Sequence, residues 1–231
     1  METTRSGRDR SPNAILILLV LGSLWGLSEV ILNDVIRSSG LLPYRAAILT
    51  GIGVLCMGAA IGFLRRPLVL LGMPVVAILM KQMVVPILGV SVLCKMNSCI
   101  AVAIQGTVLA GIVRLWQGRV TRSRWARVGT GASAGLLSAV PFYLIGLQAA
   151  PCAYLLSFSH PGGLVSFLTH EGLVWAGCSG ILFPVGYWLG SMARNPAESP
   201  GRQSRLAYNG VSAALVVGSW VGAALFISAA G

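Results

Sequence analysis

Five ionisable side chains lie inside apolar stretches of this chain: Glu29, Asp34, Lys81, His170 and Glu171. Gln105 and Gln148 are their neutral companions. Lys81 is the most demanding. Ala77-Ile78-Leu79-Met80 precedes it and Met83-Val84-Val85-Pro86 follows, so its ammonium cannot easily reach water along its own helix. A charge at the centre of a membrane span costs about 2.5–3.5 kcal/mol on insertion scales, so such groups face a bundle interior or a cavity and take a partner there. Glu29 is the nearest carboxylate in depth and Glu171 the second. Such a pair has two uses. It can fix the register of two helices. It can also belong to a site where Lys81 meets an anionic or carbonyl group of a small solute. Trp25, Trp175, Tyr143 and Tyr154 fall near the same layer and offer flat walls for a ligand, although interfacial anchoring is the more common role for a tyrosine placed as Tyr154 is. The candidate solute-binding residues are Glu29, Lys81, Gln105, Gln148, His170, Glu171 and Trp25. None is read as catalytic or as a metal ligand.

The elements that carry these residues are read from hydropathy. The 231 residues are 55% hydrophobic and 10% charged, against about 25% charged in soluble domains. Crossing about 30 Å of hydrocarbon takes about 20 apolar residues. Stretches of that length cover 13–36, 43–64, 68–92, 98–116, 128–150, 165–191 and 207–229. The period-2 alternation of a membrane barrel is missing. The expected fold is an all-α polytopic membrane bundle of about seven helices. An arm at 1–12 precedes a six-helix core at 13–193. A flexible linker at 194–206 then leads to a seventh helix at 207–231, set apart from the core. Arg5–Arg10 before Ala14–Val20 has the outline of a signal peptide. No small-x-small site follows and the apolar run continues past Trp25, so an uncleaved first span is expected. Pro74, Pro86, Pro141 and Pro184 mark candidate kinks, with the far end of span 3 bent at Pro86-Ile87-Leu88-Gly89. His160-Pro161-Gly162-Gly163 reads as a turn before span 6.

Of the 17 lysines and arginines, thirteen fall in or beside alternate connections: Arg5, Arg8, Arg10, Arg65, Arg66, Arg114, Arg119, Arg122, Arg124, Arg127, Arg194, Arg202 and Arg205. Only Arg37, Arg45 and Lys95 lie on the other side. Lysine and arginine accumulate on the cytoplasmic face. The expected location is the inner (cytoplasmic) membrane of the cell, with the N-terminus cytoplasmic and the C-terminus outside. The formal charge of +11 then serves the anionic headgroups of the lipid bilayer, not nucleic acid. At 1.5 Å per residue, Glu29 and Lys81 lie about 24 and 20 Å from the inner ends of their spans. Gln105, His170 and Glu171 lie about 8–10 Å below the outer ends on the same rise. Polar groups gathered in the outer half describe a cavity open outward and closed inward. A channel would need polar lining through both halves.

Enzymatic readings find little support. Bis-His haem needs ligands on facing spans, and His160 and His170 are ten residues apart at one end of one segment. Gly131-Ala132-Ser133-Ala134-Gly135 with His160-Pro161-Gly162-Gly163 echoes a rhomboid serine protease. Ser133 belongs to the inner side and both histidines to the outer, which prevents the hydrogen bond that activates a nucleophile. No Walker A, Rossmann or H-E-x-x-H motif occurs. The reading is of a protein that is no enzyme and needs no cofactor. Cys56 and Cys178 read as packing residues. Cys94, Cys99 and Cys152 share the outer side, where a disulfide can form in an oxidising compartment.

Gly22-x3-Gly26, Gly131-x3-Gly135, Gly186-x3-Gly190 and Gly218-x3-Gly222 each put two glycines on one helix face, which lets backbones approach closely. Gly22 and Gly26 are expected on the side of span 1 away from Glu29, as a docking groove for another membrane subunit. Leu24-Trp25-Gly26-Leu27-Ser28-Glu29 in span 1, Leu42-Pro43 opening span 2 and a lysine in span 3 together resemble the S components of energy-coupling factor (ECF) transporters, over roughly residues 15–115. The resemblance implies a six-helix protein that captures a vitamin-like solute from outside. It implies docking through small residues of the first helix onto a transmembrane coupling subunit attached to two ATPases. Two features depart from that pattern. A seventh span is present, and Met1-Glu2 stands where the metal-type members begin Met-His, which disfavours cobalt or nickel as the solute. A membrane scaffold or assembly protein, its buried charges purely structural, is the alternative.

Overall fold

The computed structural model describes residues 14–41, 44–198 and 202–230. A segment in hydrocarbon must satisfy its own backbone N–H and C=O groups, and a helix does so within one stretch of chain. The apolar stretches accordingly form α1 (Ala14–Ser38), α2 (Arg45–Leu64), α3 (Gly72–Gln82), α4 (Val84–Leu88), α5 (Met96–Arg122), α6 (Arg124–Ala149), α7 (Ala153–Leu156), α8 (Gly163–Phe167), α9 (Leu173–Glu198) and α10 (Arg202–Ala230). Seven stretches are long and apolar enough to cross a membrane: α3 and α4 count together as one, as do α8 and α9. The chain is an all-α, multi-pass membrane bundle. The expectations for the arm at 1–12, for Leu42-Pro43 and for the side chains of Asp34, Arg37, Cys94, Arg202 and Arg205 fall outside the described residues.

The third span breaks where its proline requires. Pro86 cannot donate to Gln82 and its ring crowds that carbonyl. The helix stops at Gln82, resumes at Val84 and ends at Gly89, which adopts a left-handed conformation with φ 63°. Lys81 thus sits in the last turn of α3, where a cation is favoured by the helix dipole. By contrast α6 runs unbroken through Pro141. The expected turn at His160–Gly163 is present, closed by Gly163 N donating to His160 O at 2.8 Å.

Helix α2 is the centre of the bundle and packs most extensively on α9. Their crossing is made of glycines. Gly58 and Gly62 lie against the α9 backbone near Phe183 and Tyr187, and Gly186 and Gly190 lie against the Leu55 and Ala59 carbonyls of α2. Gly131 and Gly135 of α6 lie against α9 in the same way, at Ser179 O and Trp175 O. One apolar core joins Trp25, Met57, Met73, Leu109 and Phe183, and a second joins Phe142, Tyr143, Leu155, Phe167 and Trp175.

Four expectations need correction. Gly22 and Gly26 do not face outward. They are buried against Val76, Ala77 and Met80 of α3. Seven residues at about 100° each fall 20° short of two turns, so Gly22 shares a face with Glu29, and no docking groove exists there. The gap left between the stretches 98–116 and 128–150 is almost wholly helical. Helix continues past a kink at Trp116 to Arg122, and Ser123 alone separates α5 from α6, accepting from Ala126 N. Arg127 closes this corner, donating to Val120 O and Thr121 O and lying 4.0 Å over the Tyr187 ring. The stretch at 194–206 is helical to Glu198 and again from Arg202. Finally, α10 is not set apart. It lies along α1 and α4, and Trp220 Nε1 donates to Ser23 Oγ at 2.9 Å. Gly218 on α10 meets nothing within 4 Å.

Candidate functional site

At the arginine-poor end of the bundle, α1, α3 and α5 bring three polar side chains together. Lys81 donates to Glu29 Oε2 at 2.5 Å and to Ser98 Oγ. Lys81 and Glu29 are only 5% and 4% exposed, and theirs is the one ion pair among the described residues. The partner expected from depth alone is thus the one the fold supplies. Deeper on α5, Gln105 donates to the backbone carbonyl of Thr50 at 2.5 Å, which ties α5 to α2. That bond leaves the Gln105 amide oxygen as an acceptor.

Two chambers adjoin this cluster. The larger is a cavity of about 530 Å³ enclosed by α1, α2, α5, α6, α7 and α9. Gln105, Asn97, Thr50, Leu49, Phe142, Trp175, Tyr154 and Cys152 line it. The smaller, about 200 Å³, lies under α10 and is lined by Lys81, Asn33, Val84, Leu88, Phe226 and Ile227. Glu29, Arg45, Lys95 and Ser98 line both and so form the wall between them.

The residues expected to act together are only partly brought together. Glu29 and Gln105 reach the larger cavity, and Lys81 reaches the smaller one. Trp25 is fully buried in the core with its ring against Gly53, and lines neither chamber. Gln148 is exposed. It lies six residues beyond Phe142, so about 120° round the helix from the cavity wall. His170 is also exposed, within the π-helical turn Leu168–Gly172 that joins α8 to α9. Glu171, in the same turn, is half-buried beside Tyr154. Burial and then the neighbouring Glu171 carboxylate push the Tyr154 phenol above the ordinary tyrosine range. Inserted π turns recur at functional sites. This one carries the acid that stands beside a cavity-lining phenol.

Sequence reasoning missed Arg45, Lys95, Asn97, Ser98, Phe142 and Cys152. Two of these carried a signal. Arg45 and Lys95 are exceptions to the charge asymmetry, and a cation on the depleted side calls for a local reason. Among the described residues neither has a carboxylate partner. Cys152 and Cys99 are free thiols, each accepting from an amide: Asn97 Nδ2 at 3.1 Å and Gln82 Nε2 at 3.3 Å. The site can therefore bind through charge, hydrogen bonds and aromatic walls. No family model matches this chain, nor does any curated protein or solved structure, so the function is argued from this site.

Proposed function

We propose that this protein captures a small solute from outside the cell in the larger cavity, for uptake powered by partner subunits. The observation that carries the reading is the cavity itself. It is of ligand size, its wall mixes aromatic rings with buried polar groups, and it lies at the arginine-poor end, which the charge rule assigns to the outside. The resemblance to ECF S components is in keeping with this role. A transmembrane coupling subunit and ATPases are then the proposed partners. Gly22 and Gly26 cannot be their docking face, because α3 covers them. A structural scaffold is the second reading, and one observation favours it. Lys81 and Glu29 satisfy each other, as a register-fixing pair would.

The two readings separate on native mass spectrometry of protein extracted gently from its own membranes. Solute capture predicts a bound small molecule on the wild-type chain. It also predicts loss of that molecule from Ala101→Trp, which fills the cavity while keeping the chain monodisperse. A scaffold predicts no bound small molecule on either.

A further inference from the structure

We infer that the solute is an anion with a flat apolar body, and that Arg45 and Lys95, not Lys81, hold its charged head. This rests on the solute-capture reading. Lys81 is already engaged by Glu29 and Ser98 and does not line the larger cavity. Glu29, the one acidic residue among the described residues of that lining, is neutralised by the same contact. The wall shared by the two chambers then carries two positive charges, Arg45 and Lys95, that no carboxylate among the described residues pairs.

Their positions reinforce each other. Arg45 opens α2 and Lys95 immediately precedes α5, helices of 20 and 27 residues. Both helices present the positive end of their dipole at this wall, and anions bind at such ends. An independent feature lies in the same cavity. Trp175 lines it and is 3% exposed, yet its indole N–H has no acceptor among the described residues. Buried donors are normally paired, so this one calls for an acceptor from a ligand. Phe142, Trp175 and Tyr154 line the larger cavity and not the smaller. The cavity thus combines cationic and aromatic lining. A carboxylate or phosphate on a planar body complements both. Arg is suited to either head because its planar fork meets two oxygens at once.

Equilibrium dialysis of the full chain, held in phosphatidylcholine nanodiscs, tests this with 2-naphthoate, 2-naphthyl phosphate and the neutral 2-naphthamide. The acids should be retained about ten-fold or more better than the amide, because hydrogen bonds to charged groups are the stronger ones. Comparing the two acids tells which head is preferred. In Arg45→Gln/Lys95→Gln the preference should vanish while the amide binds as before, and Arg45→Lys should keep most of it. Equal retention of acid and amide by the wild type overturns the inference and leaves solute capture standing. Loss of acid binding when phosphatidylglycerol is included assigns the wall to a lipid headgroup and also overturns it. If no probe is retained, the charge of the co-purifying molecule decides. An anion lost from the double variant sustains the inference, and a neutral molecule overturns it. No molecule at all removes the capture reading as well.

Discussion

Lys81→Met is expected to destabilise the protein by about 3–5 kcal/mol, the cost of leaving one member of a buried ion pair alone. Glu29 is 4% exposed, and Lys81 is its partner across α1 and α3. Methionine fills similar volume but offers no donor, and Ser98 has one hydroxyl to share. The double variant Lys81→Met/Glu29→Leu should recover most of the loss, since a well-packed apolar pair often equals a buried ion pair. Thermal unfolding in detergent reads both. The double variant also separates the two uses of the pair. If it is stable and still retains solute, the pair only sets helix register. If it is stable and empty, the charges shape the site. A single variant as stable as wild type would mean that Glu29 does not depend on Lys81.

Gly186→Leu should be at least as damaging. A side chain there would run into the Leu55 carbonyl of α2, and backbone cannot rotate away as a side chain can. Overpacking a core costs about 1–3 kcal/mol where side chains can adjust. Here two helices would have to separate along the central crossing of the bundle. Loss of monodisperse protein on size exclusion is the expected outcome. Gly218→Leu on α10 meets open space and should stay within about 0.5 kcal/mol of wild type. Equal behaviour of the two variants would show that the α2–α9 contact is not the close crossing described.

The sequence reported depth well and direction poorly. Span positions follow from runs of apolar residues, the break before Pro86 from its missing N–H, and the Lys81–Glu29 pair from distance along two helices, which residue counting supplies. The facing of a side chain depends on which neighbour packs where. Gly22 and Gly26 were legible as a close-contact face, but their partner was α3 within the chain. Gln148 lies at a suitable depth on the wrong side of α6. The π turn sets the adjacent His170 and Glu171 apart, one exposed and the other beside Tyr154. Arg45 and Lys95 were legible as exceptions to a charge rule. Their meaning depended on a cavity formed by segments far apart in the chain.

Cys152 offers the most direct test of solute capture from outside, because this thiol lines the larger cavity and is free. The rate of its modification by a membrane-impermeant maleimide can be followed in intact cells, with the other four of the 5 cysteines replaced by serine. Capture from outside predicts modification in intact cells, slowed about ten-fold once the co-purifying molecule is added to saturation (a site about 90% occupied reacts at about a tenth of the free rate). Modification confined to inside-out vesicles, or a rate indifferent to that molecule, would contradict it.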